Sequence, residues 1–353
     1  MGNTNSKERI DYTSNDEVKR WFKQARVEFN ERWDNPASTL SSFDRFDYLK
    51  TLGIGGFCFV MLAKRKSTEE LFAVKVMEKA KLFRSHAIEH TMDEKRILAC
   101  VRFPFVIKLT YHYKDMKNLY MAMDFVQGGD LWLHLRKRVR YSEPQARFYA
   151  GQIIMAVAYL HQMDIIHRDL KPENVMISSD GYLKLSDFGF AKRVQGRTYT
   201  LCGTTDYFAP EVILGKGYGK AVDWWAVGVL IFEMTVGYPP FSSNLPIKTC
   251  EKIVSGKIKY PATLSSDLKN LMHNLIQVDL SKRYGNLKNG IYDIRSHPWF
   301  ATLNWIDLFN KTVEAPYIPK LNGADDTSSF DIFIEEPIDV GTYDEYPKQF
   351  ADF

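Results

Sequence analysis

The stretch His167-Arg168-Asp169-Leu170-Lys171-Pro172-Glu173-Asn174 decides how the rest of this chain is interpreted. It fits the pattern H-R-D-L-x-x-x-N, which places an aspartate and an asparagine at the two ends of one short loop. Phosphoryl transfer needs a carboxylate beside the attacking hydroxyl and a neutral amide oxygen at an adjacent magnesium ion, and this loop supplies both. An isolated Asp–Asn pair is more often an ordinary polar loop. Eight residues in this order, followed by Asp187-Phe188-Gly189, favour phosphoryl-transfer chemistry.

The composition is that of an ordinary soluble globular protein. Of the 353 residues, 45% are hydrophobic and 25% are charged, and the length suits about two domains or lobes. A net charge of +4, dispersed along the chain, does not indicate a nucleic-acid partner. We expect no membrane span and no signal peptide, because no sufficiently long apolar run occurs. Four widely spaced cysteines predict free thiols in a reducing compartment: Cys58, Cys100, Cys202 and Cys250.

Upstream of the loop, two stretches predict a site for phosphate groups. Leu52-Gly53-Ile54-Gly55-Gly56-Phe57-Cys58-Phe59-Val60 resembles the glycine-rich loop of protein kinases, whose backbone N–H groups approach phosphates. A G-x-G alone is more often a simple turn. Phe72-Ala73-Val74-Lys75 predicts an apolar strand with one inward lysine, which needs an anion. The anions proposed are ATP phosphate and Glu94 in a predicted helix over 86–100, although a glutamate in a helix is usually solvated.

The middle of the chain predicts a hinge between two lobes. The stretch from Leu119 to Val126 has the pattern of a buried strand and runs into Gln127-Gly128-Gly129. Beyond it, Ser142 and Gln145 predict the capped start of a long helix, with Pro144 in its first turn. That helix leads directly to the loop quoted above.

Downstream of the loop, two further motifs bound one segment. Asp187-Phe188-Gly189 follows a short apolar strand, and Ala209-Pro210-Glu211 closes the segment, as D-F-G and A-P-E do in protein kinases. Arg283 is a candidate ion-pair partner for Glu211. Two isolated surface charges are the alternative.

The start of the chain carries two separate features. Met1-Gly2-Asn3-Thr4-Asn5-Ser6 fits the N-myristoylation pattern at Gly2, but the pattern is short and leaves acylation open. One acyl chain would give at most weak membrane contact. Ser14 to Trp33 predicts an amphipathic helix with a capping box at Ser14 and Glu17. Its aromatic stripe favours docking on the protein over a free helix that binds a membrane or a partner.

The end of the chain, from about residue 302 to 353, loses regular patterning and predicts an acidic tail. Such a composition is compatible with disorder. Its aromatic residues favour a tail that wraps around the body and docks: Phe330, Phe333, Phe350 and Phe353.

These motifs resemble the AGC group of eukaryotic protein kinases, and within it the catalytic subunits of cyclic-AMP-dependent protein kinases. Shared stretches at 33–36, 196–204, 237–241 and 315–320 extend the resemblance over nearly the whole chain. The resemblance implies an α+β, bilobal protein kinase fold. An antiparallel sheet plus one main helix would form the small lobe, and a mostly helical large lobe would follow, with an N-terminal helix and a C-terminal tail wrapping the core. The implied boundaries are 1–46, a kinase domain over 47–301 (small lobe 47–126, large lobe 127–301) and a tail over 302–353.

The resemblance implies a serine/threonine protein kinase that uses ATP and Mg²⁺. Asp169, Lys171 and Lys75 would be catalytic, and Asn174 and Asp187 would hold the metal. Asp169 would orient the substrate hydroxyl and accept its proton, and Lys171 would neutralise charge on the transferred group. The implied ATP site comprises Gly53, Ile54, Gly55, Gly56, Phe57, Cys58, Val60, Ala73, Lys75, Glu94, Met123, Asp124, Val126, Asp130, Met176 and Ser186.

The resemblance also implies a phosphorylation site and a substrate preference. An activating phosphate on Thr200 would be held by Arg168, Lys192 and His90, whereas an exposed threonine is otherwise simply solvated. Substrates would carry arginines two and three residues before the acceptor Ser or Thr. The implied substrate-binding residues are Asp130, Glu173 and Glu233 for the arginines, and Leu201, Thr205 and Phe208 for the residue after the acceptor.

The implied partners are protein substrates, a cAMP-binding regulatory subunit and pseudosubstrate inhibitors that block the cleft. The implied location is the cytoplasm, with the nucleus and the membrane periphery left open.

Four positions depart from the family pattern. Cys58 replaces the last glycine of the loop, Asp130 replaces a glutamate, Thr205-Asp206 replaces Pro-Glu, and Gly341 replaces a phosphorylated serine. The first departure slightly favours a pseudokinase scaffold, but the complete set of catalytic and metal residues opposes that alternative. A small-molecule kinase is disfavoured by the A-P-E segment and the substrate acids.

Overall fold

The computed structural model describes residues 15–36 and 41–353, with side chains from residue 20 onward. The acylation motif at Gly2 and the capping box predicted at Ser14 and Glu17 lie outside the described side chains. In the described part of the chain, no helix is both long and apolar enough to cross a membrane. The predicted bilobal fold is confirmed, with a small lobe built on a sheet and a large lobe built on helices.

The small lobe is a five-stranded antiparallel sheet with the strand order β1-β2-β3-β5-β4. Side chains alternate across the third strand, so Phe72, Val74 and Val76 join an aromatic cluster on one face while Lys75 points to the other. The elements of this lobe are β1 (Phe46–Ile54), β2 (Cys58–Arg65), β3 (Leu71–Glu78), α2 (Lys79–Arg84), α3 (Ile88–Cys100), β4 (Leu109–Lys114) and β5 (Asn118–Asp124).

The large lobe is mainly helical, with α4 (Leu131–Arg138), α5 (Glu143–Gln162), α6 (Pro210–Ile213), α7 (Ala221–Val236), α8 (Pro246–Ser255), α9 (Ser266–Leu275), α10 (Ile291–Arg295) and α11 (Trp305–Phe309). Helices α5 and α7 are buried along almost their whole length and pack against each other. Two short antiparallel pairs lead into the loops that begin at His167 and Ser186. They are β6 (Ile165–Ile166) with β9 (Lys192–Arg193), and β7 (Val175–Ile177) with β8 (Leu183–Leu185).

Local signals in the sequence explain how the large lobe is assembled. The Ser142 N–H donates to Gln145 Oε1 at 3.3 Å, so the predicted cap of α5 is present. Helix α7 ends at Gly237, whose φ of 101° is left-handed. The predicted ion pair also forms, because the two terminal nitrogens of the fully buried Arg283 contact the Glu211 carboxylate at 2.6 and 3.0 Å.

The N-terminal helix α1 (Asn15–Asp34) is docked on the body of the protein, which confirms the favoured interpretation over a free amphipathic helix. The Trp21 ring lies 5.9 Å from the Phe103 ring and 5.5 Å from the Phe309 ring. Phe29 is fully buried. Burial of this aromatic stripe explains why the helix stays attached.

The C-terminal tail also docks, which excludes the disordered alternative. Phe350 and Phe353 are buried, and Lys114 Nζ on the small lobe donates to the Phe350 carbonyl oxygen. Lys95 Nζ donates to the Asp352 carbonyl oxygen and lies 5.2 Å from the Phe353 ring. The short helix α11 within this region was not predicted, because five residues are too few to show helical periodicity.

Gly341, where the family has a phosphorylated serine, lies between two tail carboxylates that pair with lysines. Its φ of 68° is left-handed, a conformation that favours glycine. Asp339 contacts Lys117 at 2.7 Å, and Asp344 contacts the buried Lys79 at 2.7 Å. Fixed carboxylates therefore hold this turn on the small lobe.

Candidate active site

A cleft between the lobes contains a cavity of about 430 Å³, within the size range of small-molecule sites. Apolar side chains in its lining suit a flat base, and charged and amide side chains suit phosphates and a cation. The predicted ATP residues line this cavity with two exceptions. The lining is Leu52, Gly53, Ile54, Gly55, Cys58, Val60, Ala73, Lys75, Glu94, Ile107, Met123, Asp124, Phe125, Val126, Asp130, Glu173, Asn174, Met176, Ser186, Asp187 and Phe330.

The two exceptions, Gly56 and Phe57, lie at the tip of the glycine-rich loop and do not line the cleft cavity. Phe57 is 50% exposed and borders a separate cavity beside tail residues 334–339. The predicted contact of these two residues with ATP stays a prediction. Cys58 does line the cleft. Burial raises the pKa of its thiol, which favours the protonated form near neutral pH.

Lys75 and Glu94 are brought together at the inner wall of the cleft. Lys75 Nζ lies 2.7 and 2.9 Å from the two Glu94 carboxylate oxygens, and 3.6 Å from Asp187 Oδ1. Burial disfavours the ammonium, but the carboxylates of Glu94 and Asp187 outweigh this effect and hold the pKa of Lys75 above its usual value. Lys75 therefore stays protonated beside these two carboxylates.

Asp169 is held as a hydrogen-bond acceptor by three neighbouring side chains. Its Oδ1 accepts from Thr204 Oγ1 at 2.7 Å, and its Oδ2 accepts from Asn174 Nδ2 at 3.0 Å. Lys171 Nζ lies 3.0 Å from Asp169 Oδ2 and also donates to Thr204 Oγ1 at 3.0 Å. Thr204 therefore bridges the two catalytic candidates. No motif assigned it this role, because it lies 35 positions from Asp169 on another segment.

Asn174 and Asp187, the two predicted ligands of a divalent cation, both line the cleft cavity. The Asn174 amide nitrogen is occupied by Asp169, which leaves its Oδ1 as the end that can ligate a metal. Burial opposes the charge on Asp187, but Lys75 and the Gly189 N–H hold the pKa of Asp187 below its usual value. Among the described side chains, no group of three or more His, Cys, Asp or Glu is arranged to hold a metal ion.

The Asp223 side chain, near the start of α7, holds the loop that begins at His167. Its buried carboxylate accepts the backbone N–H groups of His167 and Arg168, both at 3.0 Å, and contacts His161 Nε2 at 2.8 Å. These bonds support the left-handed φ of 70° at Arg168, and Asp187 has a similar φ of 50°. Sequence motifs did not identify Asp223, but a charged residue in so apolar a helix is a signal that could have done so.

The hinge side of the cavity is closed by the C-terminal tail. Phe330 lines the cavity and stacks on Phe125, with ring centroids 5.9 Å apart. Sequence reasoning expected Phe330 to dock but did not place it in the nucleotide site, since it lies about 200 residues further along the chain. The Asp124 carboxylate of the small lobe forms an ion pair with Lys184 of the large lobe at 2.6 Å. This ion pair joins the two lobes.

Comparison with known proteins agrees with this geometry. The family model for the protein kinase domain matches residues 46–300. The chain belongs to the protein kinase family. This kinase is 48% identical to a cAMP-dependent protein kinase catalytic subunit of Arthrobotrys oligospora over 312 residues, which are 87% of this chain and 60% of the relative.

Two further relatives are similar over most of their own length. The kinase is 44% identical over 306 residues to a cAMP-dependent protein kinase catalytic subunit of Homo sapiens, covering 87% of this chain and 86% of the relative. It is 44% identical over 307 residues to cAMP-dependent protein kinase type 3 of Saccharomyces cerevisiae, and these residues are 87% of this chain and 77% of the relative. The chain spans only about three fifths of the Arthrobotrys oligospora relative and of a Schizosaccharomyces pombe relative.

The activation segment of the kinase places Thr200 at the surface, close to Arg168. Tyr218 OH donates to the Thr200 carbonyl oxygen at 2.5 Å and lies 3.4 Å from Arg168 Nη1. The buried Arg168 Nη2 has no hydrogen-bond partner. Lys192 is paired with a carboxylate of α3 at 3.1 Å, and burial, together with the charge of Arg168, lowers the pKa of His90. The three predicted basic groups therefore interact with one another, and Arg168 keeps one buried donor without a partner.

Of the three predicted substrate acids of the kinase, Glu173 interacts electrostatically with both Glu233 and Asp130. Glu233 accepts a hydrogen bond from Tyr207 OH. Burial raises the pKa of Glu233 to about 7, and the charges of Glu173 and Asp206 add to the rise. Asp130 behaves differently, because its Oδ1 accepts the Leu133 N–H at 2.7 Å and so caps helix α4.

The apolar pocket predicted at Leu201, Thr205 and Phe208 for the residue after the acceptor stays a prediction. Leu201 is 68% exposed. Phe208 lines a cavity of about 20 Å³ whose lining does not include Leu201 or Thr205. Thr205 begins a short 3-10 helix that leads to Tyr207.

Proposed function

We propose that this chain is a serine/threonine protein kinase that transfers the γ-phosphoryl group of ATP to hydroxyl groups of proteins. The observation that carries this proposal is the Asp169 carboxylate, fixed by Thr204 and Asn174 with Lys171 beside it. A carboxylate held as an acceptor beside an ammonium suits a hydroxyl nucleophile and a transferred anionic group. The names of the relatives support the same class of activity.

The residues of the cleft fit Mg-ATP, and each has a proposed task. Lys75, oriented by Glu94, would bind the α- and β-phosphates. Asn174 and Asp187 would hold Mg²⁺, which supplies charge neutralisation on the phosphates when bound. Asp169 would orient the substrate hydroxyl and take its proton. Positioning and electrostatics would supply most of the rate.

A pseudokinase scaffold is the alternative function, and Cys58 in the glycine-rich loop is the feature that favours it. The paired Lys75 and Glu94 and the oriented Asp169 oppose it, because a scaffold does not require them. The predicted substrate acids oppose a small-molecule kinase, because such an enzyme does not require carboxylates that bind peptide arginines.

Incubation with Mg-ATP and the peptide Arg-Arg-Ala-Ser-Leu tests the proposal. The protein is first phosphorylated on Thr200, and the peptide is then examined by mass spectrometry. Phosphate on the serine supports the proposal. Nucleotide binding without transfer to this peptide or to any peptide in a randomised library would support the scaffold instead.

We infer that substrates carry arginines before the acceptor, as the resemblance implies. Glu173 and Glu233 would pair with the arginine two residues before it, since a guanidinium binds carboxylates in a bidentate manner. Asp130 would select the arginine three residues before it less strongly, because its carboxylate is already engaged in capping α4. A peptide series that varies each arginine separately distinguishes the two contributions.

Peptide affinity is expected to depend on pH through Glu233. Its pKa of about 7 means that the carboxylate is largely neutral in mild acid and charged in mild base. Since a guanidinium pairs only with the charged form, KM for a peptide with two arginines should fall about fivefold to tenfold as the pH rises from about 6 to about 8. Steady-state kinetics across this range measures the effect. A peptide with alanine two residues before the serine should show a flat profile, and a steep profile for that peptide would refute the assignment.

Regulation by a phosphate on Thr200 and by a cAMP-binding subunit is also proposed. The buried Arg168 Nη2, which has no hydrogen-bond partner, supports regulation through Thr200, because a phosphate there would accept its hydrogen bond. Exposed apolar side chains on the activation segment and at the start of α8 support a protein partner: Tyr199, Leu201, Leu245 and Ile247. Inhibition by a regulatory subunit that cAMP relieves would support the second proposal, and the absence of any inhibition would refute it. Acylation of Gly2 would add only weak membrane contact.

A further inference from the structure

The C-terminal tail is hydrogen-bonded to the strand that leads into the glycine-rich loop. Strand β1 is an edge of the five-stranded sheet, so its outer backbone groups have no neighbouring strand. Lys50 Nζ donates to Thr327 Oγ1 at 2.8 Å. Thr51 N donates to Glu335 Oε1 at 2.8 Å, and Thr51 Oγ1 donates to Glu335 Oε2 at 2.7 Å. One tail carboxylate thus satisfies both donors of one β1 residue.

Thr51 occupies the position where β1 changes into the nucleotide loop. The pairing of β1 with β2 shifts register between Thr51 and Gly53, which marks a bulge. A bulge redirects the residues that follow it. Leu52, Gly53 and Ile54 follow directly and line the cleft cavity. Thr51 itself is only 5% exposed, so its donors have little access to water.

We propose that Glu335 is a positioning residue for nucleotide binding, which acts by holding Thr51 and thereby the start of the glycine-rich loop. Glu335 does not line the cleft and would not touch the nucleotide. Between Thr327 and Glu335, the tail contributes Phe330 to the cavity wall, so the same segment both closes the cavity and fixes the loop. This role of Glu335 adds a residue to the proposed function and rests on that function in one respect, that the bound nucleotide is ATP.

The variants Glu335→Ala and Glu336→Ala form a matched pair on the full chain. Glu336 is the adjacent exposed carboxylate, and no hydrogen bond joins it to Thr51. Loss of a charge-assisted hydrogen bond pair should raise the Kd for Mg-ATP about threefold to tenfold in Glu335→Ala, with kcat at saturating ATP changed less than about twofold. Thr51→Val removes one of the two donors and should give a smaller rise in Kd. Combined with Glu335→Ala, it should add no further effect.

Amide hydrogen exchange supplies a second readout that needs no nucleotide. Exchange of the segment 50–56 should rise in Glu335→Ala and not in Glu336→Ala, with the large lobe unchanged. Equal Kd values and equal exchange in the two variants would overturn the proposal, as would a rise in exchange across the whole small lobe, which indicates a merely structural role. Failure of the unmodified chain to transfer phosphate would refute the proposed function alone, because the exchange comparison is independent of it.

Discussion

Asp169→Asn is expected to lower kcat for peptide phosphorylation about 10²- to 10⁴-fold, the usual range for the loss of a general base. The amide oxygen can still accept from Thr204 Oγ1, whereas the amide nitrogen would face Asn174 Nδ2 and Lys171 Nζ and lose both contacts. The amide cannot take a proton from the substrate hydroxyl. Because Asp169 is not among the residues that line the cleft cavity, the Kd for Mg-ATP should stay within about twofold.

Rapid-quench kinetics and calorimetry measure these two quantities separately. Asp279→Asn, an exposed aspartate on the same lobe, is the control and should leave both unchanged. Thr204→Val should lower kcat by a smaller factor, since it removes the hydroxyl that bridges Asp169 and Lys171 but keeps the carboxylate. A variant Asp169→Asn that retains more than about a tenth of the activity would exclude Asp169 as the base.

Arg283→Met is expected to destabilise the protein by about 3–5 kcal/mol, because it leaves the Glu211 carboxylate buried without its partner. Arg283 is fully buried and Glu211 is 6% exposed. The guanidinium also donates to the carbonyl oxygens of Ala221 at 3.0 Å and Gln277 at 2.8 Å. These contacts join the end of the activation segment to the helices of the large lobe, so their loss should also loosen the substrate-binding face.

Urea unfolding monitored by tryptophan fluorescence measures the change. The double variant Glu211→Leu with Arg283→Met should recover most of the lost stability, since it removes both charges rather than one. Lys66→Met is the surface control: Lys66 and Asp47 lie 3.6 Å apart with both side chains 51% exposed, so its cost should be below about 1 kcal/mol. An Arg283→Met variant as stable as this control would contradict a structural role for the ion pair.

The central residues of the site could be predicted because their spacing along the chain is fixed by chemistry. Asp169 and Asn174 share one loop, and Lys75 lies on a strand too apolar to hold an unpaired charge. The pairing of Lys75 with Glu94 was favoured only because the other protein kinase motifs are present. The lobes, the hinge and the capped start of α5 followed from periodicity, from glycine and proline, and from capping residues.

The remaining features depend on contacts between segments that are distant in sequence. Thr204 reaches Asp169 from the activation segment, and Phe330 and Glu335 come from the tail. No local sequence pattern predicts a contact between segments so far apart in the chain. The helix cap formed by Asp130 was missed for a different reason. The glycines before Asp130 and the helix after it are a capping signal, but the family resemblance pointed to its role as a substrate acid.

The most direct test of the whole interpretation uses ATP that carries heavy oxygen in its γ-phosphoryl group. The unmodified protein, phosphorylated on Thr200, is incubated with this nucleotide, Mg²⁺ and an arginine-containing serine peptide beside the Asp169→Asn variant. We predict that the peptide gains a phosphate with the full isotope label on its serine, and that the variant gives almost none. An unlabelled peptide with the unmodified protein, or equal labelling with both proteins, would contradict γ-phosphoryl transfer directed by Asp169.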